Sequence, residues 1–440
     1  MNVKSIIGGA YLPHCKEYTE EHNIKDISLP KEVVVPLIQH VGAPCKPLVS
    51  VGDKVTMGQK IGDSEEYISA PVHASVNGTV KAIEKRPGVE GYDEDSIVIS
   101  TDFDKEEPEF YTKNDPDKLS DEELKELLKD SGIAGMGGAA FPTYVNVNQS
   151  QPIEYLLLNG AECEPYLTCD HRQMIEMPEK LIKGAEILMR IIGAKKCYIG
   201  IETNKPDAIE VLSEQTKELE NMEVVPLASK YPQGYKSHLI NAITDRKVPR
   251  GARSAELGCI VRNVGTTIAV YEAVVYEKPL IERVVTVSGP KIPQPGNFSI
   301  RIGTPISHIL EQCEIEDIST LEGCKVILGG PMTGMSQYSV QAPIVKNSTG
   351  LLVFPPEMLP EWDYHNCVKC GDCVAHCPMY LYPNKLSIFA EAEMYREAED
   401  WDIMDCIECG LCVYQCPSNR PIVQFIKQVK PVIKKMQRSR

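Results

Sequence analysis

The chain has 440 residues, 42% of them hydrophobic and 25% charged, and its 46 Lys and Arg against 62 Asp and Glu leave a net charge of −16. At about 150 residues per domain this length holds roughly three domains, and the composition excludes disorder and collagen-like structure. A chain this acidic, with no long basic stripe, repels nucleic acid, so DNA binding is set aside. No run of 18 apolar residues occurs, so no transmembrane segment is expected. The start, Met1-Asn2-Val3-Lys4-Ser5, lacks a signal-peptide pattern. The expectation is a cytoplasmic protein that reaches a membrane only through partners.

In chain order, residues 1–30 read as a polar leader with Gly8-Gly9 and Pro13. Residues 31–100 carry short strand-like runs, Val33–Val35, Val49–Ile61 and Ile68–Val80, broken by Gly-Asp and Asn-Gly turns. This pattern predicts a small β module. It resembles biotinyl and lipoyl carrier domains, but the tip stretch His73–Gly78 has no lysine to modify, so a structural barrel-sandwich module is expected. Residues 101–118 are acidic, with Pro108 and Pro116, and read as a linker. Ser120 with Glu123 three residues on forms a capping-box signature, Leu124, Leu127 and Leu128 supply an apolar face, and Gly132 stops the helix.

From Ile153 the pattern alternates. Tyr155–Leu158 is a buried strand, Pro178–Ile192 a helix with proline in its first turn, and Lys195–Glu202 a strand. A helix follows from Pro206 to about Glu220, then a strand at Val224-Val225. This predicts an α/β domain over 101–278 with a largely parallel sheet. Residues 279–350 return to short strands, Val284–Val287 and Val326–Leu328, with Gly-Pro turns and one helix at Ile306–Gln312, and so form a small α+β module. Residues 351–440 are helical and cysteine-rich and end in a basic tail, Lys427, Lys430, Lys434, Lys435, Arg438 and Arg440. That tail reads as a solvated helix end, with an acidic partner or anionic lipid as the less favoured alternative.

Eight of the sixteen cysteines fall between Cys367 and Cys416. They form two runs, Cys367-x-x-Cys370-x-x-Cys373-x-x-x-Cys377-Pro378 and Cys406-x-x-Cys409-x-x-Cys412-x-x-x-Cys416-Pro417. Each run has the spacing of bacterial ferredoxins, in which three thiolates wrap one [4Fe–4S] cube and the fourth serves the other. Cys367, Cys370, Cys373 and Cys416 are assigned to one cube, and Cys406, Cys409, Cys412 and Cys377 to the second. Structural zinc favours two Cys-x-x-Cys pairs and fits poorly. The intervening stretch Leu386–Asp400 predicts an amphipathic helix. The other cysteines lack ligand spacing and are expected to be buried thiols.

Two loops carry the remaining signal. Gly135-Met136-Gly137-Gly138-Ala139-Ala140-Phe141-Pro142-Thr143 brings backbone amides within reach of a phosphate or ring, although tight turns use the same residues. Asn159-Gly160-Ala161-Glu162-Cys163-Glu164-Pro165 follows a buried strand, where ligands bind in α/β sheets. Together these loops resemble the flavin-binding, NADH-oxidising 51 kDa subunit of complex I. Together with Gln39–Pro44, Tyr231-Pro232-Gln233-Gly234 and the two cysteine runs, the chain over about residues 5–430 resembles the C subunits of Rnf complexes, membrane-bound ferredoxin:NAD oxidoreductases coupled to ion translocation.

The resemblance implies a multidomain α/β plus β fold. Its parts are a barrel-sandwich module, a complex I 51 kDa-like FMN domain, a β-grasp module of the SLBB type over 279–350 and a helical dicluster ferredoxin domain. It implies FMN, two [4Fe–4S] clusters and NAD(H) as substrate, with electrons passing between them. Gly135, Gly137, Gly138, Phe141, Asn159, Glu162, Glu164 and Asn263 are expected at the FMN, with Glu164 orienting the nicotinamide as the catalytic candidate. The implied partners are the membrane subunits of an Rnf-type complex on the cytoplasmic face. The alternatives are a soluble relative serving a cytosolic reductase, with altered or no NADH use, and an electron-wire module that binds no nucleotide. Three positions depart from the family pattern: Asn146 stands where a lysine is usual, Lys236 where a glutamate is usual, and Arg262 where the complex I subunit has asparagine.

Overall fold

A computed structural model of the chain describes residues 3–106, 108–315, 317–359 and 363–438. In the barrel-sandwich module the long hairpin Gly78–Pro87/Asp93–Thr101 pairs antiparallel, with a bulge between Val80 and Ala82, and Glu32–Pro36 joins its outer edge. Alternating Val33, Val35, Ile97 and Ile99 point inward with Ile61, Val72 and Val76, as a two-residue period requires. The tip is not presented to solvent. Ser75 and Asn77 are fully buried, and Ser75 Oγ donates to Ile302 O in the β-grasp module.

The α/β domain holds a four-stranded parallel sheet in the order Met222–Leu227, Lys196–Glu202, Tyr155–Gly160, Cys259–Asn263. Ser120 and Glu123 form the reciprocal capping box that starts Asp121–Asp130, and Gly132 lies at φ +66° just beyond its end. Pro178–Ile192 begins on proline and ends at Gly193 in the left-handed region. It packs Leu181, Ala185 and Leu188 into the main core beneath the sheet. The helix from Pro206 ends at Thr216, a turn before Glu220.

The first thirty residues do more than lead. Ile6, Ala10 and Leu12 are buried, Lys4 and Ala10 bridge to Leu227 and Tyr231, and Ile24–Asp26 adds a parallel edge strand to Gly296–Arg301. That strand enlarges the β-grasp sheet to six, which runs on through Gly350–Phe354. Lys346 Nζ donates to Pro71 O at 2.6 Å and Gly132 O at 2.7 Å, so one buried amine joins barrel, α/β domain and β-grasp module.

In the cysteine-rich domain the amphipathic stretch Leu386–Asp400 is two helices, Pro383–Glu391 and Tyr395–Asp400, because the chain turns through Glu393 at φ +54°. Leu386, Ala390 and Ala398 from these helices meet Ile426, Val429 and Ile433 of Ile422–Arg438 in one core.

Candidate functional site

A cleft of about 310 Å³ opens over the C-terminal ends of the parallel strands. Its floor comes from the glycine loop (Gly137, Gly138), the strand ends (Asn159, Asn263), the acidic loop (Glu162, Cys163, Glu164, Leu167) and the helix start at Cys169 and Asp170. Its far wall is Leu328–Gly330, Thr333–Met335 and Asn347–Thr349 of the β-grasp module, with Val89 and Glu90 of the barrel at the rim. Of the eight residues expected at the cofactor, Gly137, Gly138, Asn159, Glu162, Glu164 and Asn263 line this cleft. Gly135 and Phe141 instead close the neck of the loop, where Gly135 N donates to Phe141 O at 2.9 Å beside the Ala134–Pro142 bridge.

The polar groups of the floor are tied to one another. Asn263 Oδ1 accepts from the amides of Gly265 (2.8 Å) and Thr266 (3.3 Å), which caps Val264–Tyr276. Its Nδ2 donates to Asp170 Oδ2 at 2.6 Å. Glu162 accepts from the amides of Asp170 (2.7 Å) and His171 (3.1 Å), so its carboxylate caps the helix Cys169–Glu176. Asn159 Nδ2 donates to Gly234 O at 2.8 Å and holds the Tyr231–Gly234 turn. Glu164 accepts from Met332 N (2.9 Å) and Thr333 Oγ1 (2.6 Å) in the far wall. The acidic loop is clamped from behind by two buried amines. Lys16 Nζ donates to the carbonyls of Glu162 and Glu164 at 3.0 and 3.1 Å, and Lys205 Nζ to Ala161 O at 2.7 Å.

Burial raises two carboxyls here. Asp170 is pushed up to about 7, by burial and then by Glu162, against the pull of Arg283, Asn263 and Lys205. Burial also raises Glu164, opposed by its bonds to Thr333 and Met332. Sequence reading does not single out Asp170 or Lys16. Neither belongs to a spaced motif, and each acquires its place through contacts more than ninety residues away.

The cleft fits a phosphorylated flavin on three grounds. A Cβ added at Gly138 would meet nothing within 4 Å, so the loop leaves open space there. Among the described residues, the amides of Gly137, Gly138 and Ala139 have no protein acceptor. Asp170 Oδ1 is buried without a partner, which marks the floor as incompletely satisfied.

Two smaller cavities lie in the cysteine-rich domain. One is lined by Cys377, Cys406, Cys409 and Cys412, the other by Cys367, Cys370, Cys373 and Cys416. Each gathers three thiols from one run and the fourth from the other, a four-sulfur donor set of the kind a cubane needs. Amides already face the sulfurs: Leu381 N donates to Cys377 Sγ and Glu408 N to Cys406 Sγ, both at 3.4 Å. Lys369 and Glu408, at φ +59° and +57°, turn the two loops inward. The first cavity abuts the cleft. Tyr231 Oη donates to Cys409 O at 2.8 Å, and Tyr231, Leu411, Cys163, Met332 and Cys409 form one apolar cluster between them. The second cavity is outermost, with Cys370 exposed. Of the eight cysteines outside the runs, Cys45, Cys169, Cys197, Cys259 and Cys313 are buried and Cys15, Cys163 and Cys324 half-buried.

Comparison with known families matches three stretches of the chain. Residues 128–272 match the model of the Nuo51 FMN-binding domain and residues 360–417 that of a 4Fe-4S dicluster domain. By class, then, this is a flavin and iron–sulfur electron-transfer protein. Residues 4–104 match the RnfC barrel sandwich hybrid domain. The chain is 41% identical over 432 residues to the C subunit of the proton-translocating ferredoxin:NAD(+) oxidoreductase complex of Clostridium ljungdahlii, covering 97% of this chain and 94% of that one. It is 39% identical over 404 residues to the C subunit of the Na(+)-translocating ferredoxin:NAD(+) oxidoreductase complex of Acetobacterium woodii, covering 91% and 90%. A longer relative in Pectobacterium atrosepticum, the C subunit of an ion-translocating oxidoreductase complex, is 39% identical and 62% covered. The chain belongs to the family of Rnf complex C subunits. Among solved structures it resembles an NAD+-reducing [NiFe]-hydrogenase in the H2-reduced state, with a TM-score of 0.51 and 17% identity over 74% of this chain and 63% of that one, a likeness of fold.

Proposed function

We propose that the chain passes electrons between NAD(H), FMN and two [4Fe–4S] clusters as the peripheral C subunit of an ion-translocating ferredoxin:NAD oxidoreductase on the cytoplasmic face of the membrane. The observation that carries this reading is the shared wall between the cleft and the nearer four-thiol cavity, closed by Tyr231 and its bond to Cys409 O. No helix among the described residues is long and apolar enough to cross a membrane, so attachment is assigned to the other subunits of the complex.

In this reading FMN would be held by Gly137 and Gly138, whose amides have no protein acceptor among the described residues, and by the fixed amide of Asn263. Gly135 and Phe141 keep the loop in shape. Asn159 and Glu162 act from beneath, one holding the Tyr231–Gly234 turn and the other the helix that carries Asp170. Glu164, anchored by Met332 and Thr333, orients the nicotinamide. Cys377, Cys406, Cys409 and Cys412 hold the first cluster, and Cys367, Cys370, Cys373 and Cys416 the second. When bound, the flavin supplies the conversion between hydride and single electrons, and the clusters carry single electrons. The protein keeps the donors in place before reaction and excludes water from the Tyr231 wall, which preserves the strength of the electrostatic interactions there. The outer cavity, beside exposed Val368, is where a partner exchanges electrons.

The test is anaerobic. The full chain is reconstituted with both clusters and FMN, mixed with NADH, and followed by flavin and cluster absorbance. Bleaching of flavin before clusters is expected. No bleaching in a sample that dithionite reduces would overturn the NADH assignment and leave an electron wire.

A further inference from the structure

Beside the cleft, the end of the parallel sheet carries a charge arrangement the flavin reading does not use. Arg262, in the edge strand Cys259–Asn263, is 7% exposed. Its Nη1 donates to Val261 O at 2.9 Å, while Nε and Nη2 are buried with no protein partner. Its charged neighbour is a second cation, the exposed Lys236, whose proton affinity is lowered by partial desolvation and by Arg262. Among the described residues no carboxylate pairs with either side chain. A buried guanidinium without a counter-charge is strongly unfavourable, and buried charges are normally paired.

Lys236 is also the first residue of the helix Lys236–Thr244, which has no side-chain cap. The amides of Lys236, Ser237 and His238 have no acceptor among the described residues, and the first bond of the turn is Leu239 N to Tyr235 O. The strand end and the helix start are brought together by one contact. Asn263 registers with Asn159, and Asn159 holds Gly234 O, two residues before Lys236. Free helix amides, an unpaired planar guanidinium and an ammonium then share one region with no acid among them. A phosphate is matched by that donor set, since Arg offers a fork, the helix start offers N–H groups and Lys offers a point charge.

We propose that Arg262, Lys236 and the first turn of the helix Lys236–Thr244 form an anion site that takes a phosphate group. The site stands on these residues alone and does not depend on flavin binding in the neighbouring cleft. The phosphate comes either from solution or from a nucleotide bound nearby.

The test uses the full chain with its clusters and no flavin. Thermal midpoints are measured with and without inorganic phosphate at constant ionic strength for wild type, Arg262→Gln and Lys236→Gln. Phosphate is expected to raise the wild-type midpoint, to have no effect on Arg262→Gln, and to act at least about tenfold more weakly on Lys236→Gln. Without phosphate, Arg262→Gln is expected to melt above wild type, because the unpaired charge is gone. An equal phosphate response in all three proteins, or none in any, overturns the site. Should Arg262→Gln fail to fold, the exposed Lys236→Gln decides on the same criterion. AMP and adenosine then separate the sources. If AMP removes the phosphate response and adenosine does not, the site takes a nucleotide phosphate. If both leave it intact, the site takes the free ion.

Discussion

In the cysteine-rich domain, three thiols of each cavity come from seven consecutive positions, as in Cys367–Cys373, and the fourth from the partner run. In the cleft, Gly137, Asn159, Asp170, Asn263 and Asn347 arrive from five separate segments of two modules, and most of their polar atoms are bonded to one another. The cavities are complete as donor sets. The cleft is a braced frame whose free groups, among the described residues, include a few backbone amides, Asp170 Oδ1 and Gln337 Oε1. Local spacing suffices for the first because the ligand shell is nearly one loop. The second needs the tertiary fold before any of its groups has a direction.

The largest expected effect tests the independence of the cavities. Cys409→Ser removes one of four sulfurs from the cavity nearest the cleft, and iron and labile sulfide per chain are expected to halve, with the absorbance of one cluster lost. Loss of both clusters would show that the two cavities form as one unit, and the local half of the comparison would fail.

The second test strikes the frame. Asn263→Ala removes the cap of a thirteen-residue helix, worth about 1 kcal/mol, and strips Asp170 Oδ2 of its donor, adding about 1–3 kcal/mol. Urea unfolding is expected to show a loss of about 2–4 kcal/mol, with FMN affinity falling alongside. A loss below about 1 kcal/mol would mean that the floor is not braced through this side chain.

These two sites differ in how much of them the sequence discloses. The Ser120–Glu123 box and the proline start at Pro178 are local chemistry, and each appears in the structure where the sequence places it; the cysteine spacing is local too, and the structure gathers those thiols four and four around two cavities. The leader reads as polar because Ile6, Ala10 and Leu12 follow no helix or strand period, yet they are buried against the α/β domain. Gly329-Gly330 reads as a turn. At Gly330 a Cβ would lie 2.3 Å from Glu164 Oε2, so the glycine serves a contact 166 positions away that no spacing encodes. Cys169-Asp170-His171 looks like any helix start until Glu162 and Asn263 close on it.

Asp170→Asn gives a smaller effect with a direction in pH. With its carboxyl raised to about 7 from an ordinary value near 4, the folded state binds more protons than the unfolded state between those limits. Wild-type stability therefore falls as pH rises through that window. Asparagine still accepts from Asn263 and does not titrate, so the variant is expected to gain on wild type by roughly 1–3 kcal/mol between pH 4 and 8. Paired urea titrations at the two pH values measure it. A constant difference would mean that Asp170 ionises as an exposed carboxyl does.

Gly138→Ala has the smallest effect on the fold and the sharpest on the cleft. Gly138 does not lie at positive φ, and the added methyl meets no atom within 4 Å. Neither strain nor a clash opposes it, and the stiffer unfolded chain favours the variant by a few tenths of a kcal/mol. The thermal midpoint is expected to hold or rise slightly. If the proposed flavin site holds, the methyl occupies space the ligand needs, so FMN affinity, read from the quenching of flavin fluorescence, is expected to fall about tenfold, or about 1.4 kcal/mol. Gly137→Ala behaves otherwise, since its methyl would lie 3.2 Å from Asn263 Nδ2 and disturb the frame, lowering both midpoint and affinity. Unchanged FMN affinity in Gly138→Ala would move the flavin off the glycine loop, because the only role left to that open position is contact with what enters the cleft.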